Sequence, residues 1–200
     1  MRMIDQVKEN GPRFTIKGSS RQDLPQLFVD MGFKVGAEIG VDKGAYTEKL
    51  LQAGLEIYAV DPWKVYPNYN HPKGQERLDF LYEHTKRVVE PYNCHIVRKD
   101  SMDAVEDFGD ESLDFIYIDG NHKFRYIAAD LVEWEKKVRK GGIVAGHDFV
   151  QTSSRWCDCQ VKYVVLAYVA SFHIKNWYLT DKNPGIPGDQ NTQSWFWVRE

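Results

Sequence analysis

One short stretch, Val35-Gly-Ala-Glu-Ile-Gly-Val-Asp-Lys-Gly-Ala-Tyr-Thr47, constrains the fold of this chain more than any other. It reads as a buried strand, a tight glycine-rich turn and the start of a helix. Gly40 and Gly44 let the backbone approach a ligand where a side chain would block it. Ile57-Tyr-Ala-Val-Asp61 follows as a second apolar strand ending in an acid. A carboxylate at that place can accept hydrogen bonds from both hydroxyls of a ribose. The turn lacks the third glycine of a dinucleotide fingerprint and carries Glu38 inside it, which argues against a pyrophosphate. A methionine ammonium, a sulfonium and a ribose suit such a turn better.

The pattern around this unit alternates. A helix is expected over 21–31, with Gly32 as its stop. Strands are expected at Val35–Ile39, Ile57–Val60, His95–Lys99, Leu113–Ile118 and Gly142–Gly146, numbered 1 to 5. Helices are expected at Ala45–Gln52, Gln75–Val89, Met102–Phe108 and Tyr126–Val138. Such alternation predicts right-handed crossovers on a mostly parallel sheet with helices on both faces. Near the C-terminus a helix over Val161–Ser171 precedes strands at Phe172–Leu179 and Ser194–Arg199. The turn-rich loop 181–190 between these two suits an antiparallel return. Residues 1–32 form an arm and helix that could cover the active site, and 33–200 form the main domain. The loop 66–74, with Tyr66, Tyr69 and His71, would project from the carboxyl ends of the strands, where open α/β sheets bind ligands.

With 26 basic against 29 acidic side chains the chain offers no broad cationic face, so nucleic acid is disfavoured as a partner. No apolar run is long enough to span a bilayer. The polar start Met1–Asn10 does not resemble a signal peptide, which predicts a cytoplasmic protein. Three cysteines cannot build a four-thiolate zinc site, and Cys157-Asp-Cys159 is read as structural or incidental. Trp134 is expected in the core with Leu131 and Val138.

Acids and histidines gather at the predicted strand ends. Strand 1 brings Glu38, strand 2 Asp61, strand 4 Asp119-Gly-Asn-His122 and strand 5 His147-Asp148. Asp119, His147 and Asp148 can converge if strands 4 and 5 are neighbours. Their oxygen and imidazole ligands suit Mg²⁺ or Mn²⁺, with Fe²⁺ also open. The bland alternative makes each an ordinary turn or loop-anchoring residue.

Glu38–Gly44, Ala59-Val-Asp61, Lys99-Asp-Ser101, Ile118–His122 and Gly141–Phe149, taken in that order, resemble a class I S-adenosylmethionine-dependent methyltransferase. The nearest flavour is the small-molecule O-methyltransferases of the macrocin and catechol type. The resemblance implies a Rossmann-like open sheet of seven strands in the order 3-2-1-4-5-7-6, with strand 7 antiparallel. It implies that Glu38 and Gly40 line the methionine end of the cofactor, while Gly44 lets the next helix pack close. Asp61 would hold the ribose, Trp63 would cover adenine, and Asp100 and Ser101 would meet its edge. Asp119 would also border the cofactor, and with the pair His147-Asp148 it matches the family's metal positions, although an acid is usual where His147 stands. His122 could serve as the base that takes the acceptor's proton, or could anchor its loop.

The expected activity is methyl transfer from S-adenosylmethionine to an oxygen of a small molecule, a sugar or aromatic hydroxyl, with metal assistance. The alternatives are a metal-independent enzyme with His122 or His147 as general base, a non-catalytic cofactor-binding module, and a nucleic-acid methyltransferase. Oligomeric state stays open between a monomer and a homo-oligomer.

Overall fold

The computed structural model describes residues 2–9, 14–66, 74–153, 158–182 and 192–200. Its centre is an eight-stranded sheet. The strands are β1 (Phe14–Ile16), β2 (Val35–Ile39), β3 (Glu56–Val60), β4 (Cys94–Val97), β5 (Leu113–Ile118), β6 (Val138–Gly146), β9 (Trp177–Thr180) and β10 (Trp195–Val198). A two-stranded ribbon, β7 (Thr152–Ser153) with β8 (Asp158–Cys159), stands apart from it. Across the sheet the order is β4-β3-β2-β5-β6-β10-β9-β1. All pairs are parallel except those of β10, which is antiparallel to both β6 and β9.

The expectation of seven strands is corrected to eight. The added strand is β1, drawn from residues read as a polar arm; Thr15 pairs with Leu179 and Ile16 with Thr180 on β9. Its sequence signal is short, and burial of Ile16 is what the pairing gains. A short helix, α1 (Met3–Glu9), also stands in that arm.

Period-two alternation sends successive strand residues to opposite faces. One face carries Ile57, Phe115, Tyr117, Ile143, Ala145 and Phe196. It packs against α1, α2 (Leu24–Asp30) and α3 (Ala45–Gln52) through Met3, Leu24, Phe28 and Leu50. The other face carries Ala37, Ile39, Ile116, Ile118, Val144, Trp195 and Trp197. There α6 (Phe124–Trp134) and α7 (Val161–Ser171) bury Ile127, Leu131, Trp134, Val161 and Val165. Trp134 is fully buried, as its helical spacing predicts.

Boundaries shift where turn chemistry overrides periodicity. The helix expected over 21–31 begins as a 3-10 turn, Arg21–Asp23, closed by a Ser20–Asp23 capping box, before α2 starts. The stretch 102–108 is short α5 (Ser101–Ala104) followed by a 3-10 turn. Strand β9 starts at Trp177, because 172–176 is a turn and loop with His173 at φ 55°. The long helix α4 (Gly74–Val89) places Leu78 and Leu81 against Trp63 in a separate apolar cluster beside β3.

Candidate functional site

The glycine-rich turn lies where parallel strands end. Gly40 has φ 93°, and a Cβ there would stand 2.4 Å from the main-chain oxygen of Asp119. The turn after β2 therefore closes directly onto the loop after β5, a contact only glycine allows. Gly44, at φ 78°, caps the start of α3 and faces Thr85 of α4. A cavity of about 420 Å³ opens over this junction. Gly40, Asp61, Trp63, Asp100, Ser101 and Asp119 line it, six of the eight residues expected to hold a cofactor.

The other two expected cofactor residues, Glu38 and Gly44, are absent from that lining. Glu38 is 1% exposed and lies beneath the turn, accepting a hydrogen bond from Thr47 of α3. Burial pushes its carboxyl up to about 8, with Thr47 and Arg21 pulling the other way. Glu38 on β2 alternates to the face opposite Ala37 and Ile39, which explains why it points at α3 rather than into the cavity.

Asp61 braces the turn itself. Its Oδ2 accepts from the amides of Val41 (2.9 Å) and Asp42 (3.0 Å), and its Oδ1 accepts from the amide of Trp63 (2.8 Å). Burial raises its pKa although these three donors oppose the rise. Trp63 takes φ 41°, donates Nε1–H to the Asp42 carbonyl and presents a buried indole to the cavity. Ser101 donates to Asp130 Oδ1 and accepts from Trp134 Nε1, so its hydroxyl is committed within the protein. Asp130 was not singled out in the sequence; it lines the cavity, and burial raises its pKa to about 6 against the Ser101 hydrogen bond.

Beside the cavity, Asp119, His122 and Asp148 bring one potential ligand atom each within 4.8 Å of one another. His122 Nε2 is 3.1 Å from Asp148 Oδ2 and 3.6 Å from Asp119 Oδ1. This nitrogen is buried yet has no well-directed hydrogen bond, so the contact is one of charge. Burial alone would depress the imidazole, but the two carboxylates outweigh it and raise the pKa to about 10. Asp148 moves the other way: burial would raise it, and His122, His147 and Thr192 hold it well below the usual carboxylate range.

The expected ligand trio of Asp119, His147 and Asp148 is corrected at its middle member. His147 is 2% exposed, with Nδ1 3.0 Å from Ser194 Oγ and Nε2 3.1 Å from Thr192 Oγ1. Thr192 donates its single proton to Asp148 Oδ1 at 2.6 Å, so it receives one from His147 Nε2. Nδ1 meets the Ser194 hydroxyl, so both ring nitrogens are engaged within the protein and neither is left to meet a metal. Alternation along β6 carries His147 to the Tyr117 side of the sheet, where Ser194 also meets the Tyr117 hydroxyl at 3.0 Å. Asp148, at φ 52°, turns the chain back toward Asp119 and His122.

Arg21 is the main surprise. Its Nη2 donates to Asp119 Oδ2 at 3.0 Å, and its guanidinium carbon lies 4.2 Å above the Tyr46 ring. The Ser-Ser-Arg-Gln-Asp capping pattern marks the turn that holds it, but nothing local marks its partner. Tyr66 accepts a hydrogen bond from Asn121 at 2.9 Å and faces the cavity. Tyr69, His71, Trp156 and Cys157 lie outside the described residues. Cys159 is buried, with Sγ near the carbonyls of Asp148 and Val150. None of the described helices is long and apolar enough to cross a membrane.

Comparison with known proteins agrees with this architecture. An O-methyltransferase from Bacillus cereus in complex with SAH superposes with a TM-score of 0.64 at 16% identity, over 98% of this chain and 90% of that one. TomG of Streptomyces achromogenes, an O-methyltransferase involved in tomaymycin synthesis and solved with SAM, gives 0.61 at 15% identity, over 90% and 79%. The N-methyltransferase NodS of Bradyrhizobium japonicum gives 0.59 at 12% identity, over 90% and 96%. A curated relative, the uncharacterized protein y4gI of Sinorhizobium fredii, is 28% identical over 99 residues. That match spans 46% of this chain and only 10% of the relative's length. Residues 37–149, more than half of the chain, match the family model for a methyltransferase domain, and the chain belongs to that family.

Proposed function

We propose that this protein transfers a methyl group from S-adenosylmethionine to an oxygen of a small molecule. The observation that carries the reading is the double position of Asp119: it lines the cavity and belongs to the Asp119–His122–Asp148 cluster. A donor in the cavity would thus lie beside a charged site suited to an acceptor hydroxyl. N-methyltransferases share the fold, so oxygen as the target rests on the cluster, because a neutral amine already carries a nucleophilic lone pair whereas a hydroxyl attacks well only as it loses its proton.

Donor binding follows from the chain's own groups. Apolar walls from Trp63, Leu78, Leu81 and Met102 suit a purine. Asp61 keeps a free lone pair for a ribose hydroxyl after bracing the turn, and Asp100 adds a second carboxylate. Glu38 contributes from below by holding Thr47 and the start of α3, not by contact.

At the acceptor end, two carboxylates and an imidazole with an undirected buried nitrogen form a donor set that fits a divalent cation. The mixed oxygen and nitrogen ligands favour Mn²⁺ or Fe²⁺ over Mg²⁺. Asp119, His122 and Asp148 would hold it, and when bound it would supply Lewis acidity that favours the alkoxide form of the acceptor. His122 Nε2 can hold a proton or a ligand bond, but not both. With its pKa raised to about 10 it is already protonated at neutral pH, which disfavours it as the base of a metal-free reaction. His147 has no direct place in the chemistry and supports Asp148 through Thr192.

The test is calorimetry with S-adenosylhomocysteine, then transfer of labelled methyl to a panel of sugar and aromatic hydroxyls before and after chelation. Binding in the micromolar range and acceptor-dependent transfer lost on chelation are the expected results. Absence of S-adenosylhomocysteine binding by the folded protein would sink the whole reading, and full activity after chelation would sink its metal part.

A further inference from the structure

The segment before α2 delivers a permanent charge to the site from the far side of the sheet. β1 adds to β9, and the turn that follows is pinned there: the Gly18 amide donates to Asp181 Oδ2 at 3.0 Å and the Asp181 amide to the Ser19 carbonyl at 3.0 Å. The Ser20 amide donates to Asp23 Oδ2 at 2.7 Å, and the Tyr46 hydroxyl donates to the Arg21 carbonyl at 3.1 Å. The Arg21 side chain, 10% exposed, then lies over Tyr46 with its carbon 5.5 Å from the Tyr117 ring centre. Its Nε has no hydrogen-bond partner, so the one directed anchor of this guanidinium among the described residues is Asp119 Oδ2. Backbone and ring contacts both keep it from swinging away.

A guanidinium keeps its proton at every accessible pH. One oxygen of Asp119 is therefore committed to a fixed positive charge, and the other faces His122. Any divalent cation entering the cluster meets that charge across a shared carboxylate, where partial burial weakens screening. We propose that Arg21 is a built-in cation that competes with a divalent ion for Asp119 and so sets how weakly the cluster holds a metal. The inference rests on the metal part of the proposed function. Arg21 acts through Asp119, as a positioning residue and not as a catalytic one.

Mn²⁺ titration of the intact chain, read by the electron paramagnetic resonance of the free ion, tests it in the parent protein, Arg21→Met, Arg21→Gln and Arg21→Lys. Removing the charge should tighten Mn²⁺ binding by about tenfold or more, while Arg21→Lys stays within about threefold of the parent. Arg21→Gln keeps an N–H donor for Asp119 and loses only charge, so it carries the same expectation if Arg21→Met fails to fold. A merely structural arginine would give the opposite sign, with Mn²⁺ binding weakened in every variant. Equal or weaker binding in the neutral variants overturns the proposal, as does the absence of Mn²⁺ binding in parent and neutral variants alike. S-adenosylhomocysteine calorimetry on the same samples separates the two readings. Its failure in the parent removes the donor site and leaves the Mn²⁺ comparison standing.

Discussion

The two ends of the site are built by different physics. The donor end is shaped by backbone: Gly40 against Asp119, Asp61 on three amides, and Trp63 wedged on α4. The acceptor end is shaped by charge, with Asp119 and His122, Asp148, and Arg21 meeting from three separate stretches of chain. A backbone-built pocket exists before its ligand arrives, so substitutions there should show in stability and donor affinity together. A charge-built site is set by mutual compensation, so removing one member changes what the others do. The contrast teaches where to expect separable effects and where not.

The sharpest way to break the contrast is Asp119→Asn, which belongs to both ends. Transfer should fall by about 10²–10³-fold, while affinity for S-adenosylhomocysteine changes by less than about threefold. Single-turnover transfer and calorimetry check it, and a parallel loss of donor affinity would erase the division. Next in size is Gly40→Ala. Its Cβ would collide with the Asp119 carbonyl, and the unfolding free energy should drop by about 2–4 kcal/mol with loss of donor binding. Urea denaturation that shows a change below about 0.5 kcal/mol would mean the turn is not closed onto β5.

A pH experiment sharpens the picture beneath the turn. Glu38 has a folded pKa of about 8, above its unfolded value. Its contribution to stability is therefore fully present below about pH 4.5 and lost as pH rises through 8. Glu38→Gln stays neutral and should lack this decline, so the stability difference between the two proteins should change by on the order of 4 kcal/mol from pH 4.5 to 8. Parallel stability curves would show that Glu38 is not held protonated. The smallest effect is expected for Thr192→Val, which cuts the link between His147 and Asp148 and should cost about 1 kcal/mol, measured by thermal unfolding.

The same contrast explains what could be read from the sequence. Gly40, Asp61 and Trp63 sit in one local run of strand, turn and strand, and period and turn chemistry alone place them at one edge. Asp119 was legible as a strand end for the same reason. His147 was misplaced because two adjacent residues cannot both face the site from a regular strand, and only the left-handed Asp148 reveals which one does. Arg21 and Thr192 reach the cluster through pairings about a hundred residues and more than forty residues away. No periodicity carries that information. β1 escaped for a related reason: three residues give too little alternation to recognise, and their partner β9 lies far along the chain.

The placement of β10 bears on how the molecule comes to be made. It follows every other strand in sequence yet sits inside the sheet, between β6 and β9. During synthesis the half from β4 to β6 can assemble from nearby segments, but β9 and β1, which pair with each other, have no link to that half until residues 195–198 emerge. The pairings that complete the sheet are thus late, long-range closures, slow by nature and exposed to misassociation while they wait. Because β1 leads into Arg21, the cation that meets Asp119 is carried by the part of the sheet that this closure adds, whereas Asp119, His122 and Asp148 stand at the ends of β5 and β6 in the other half.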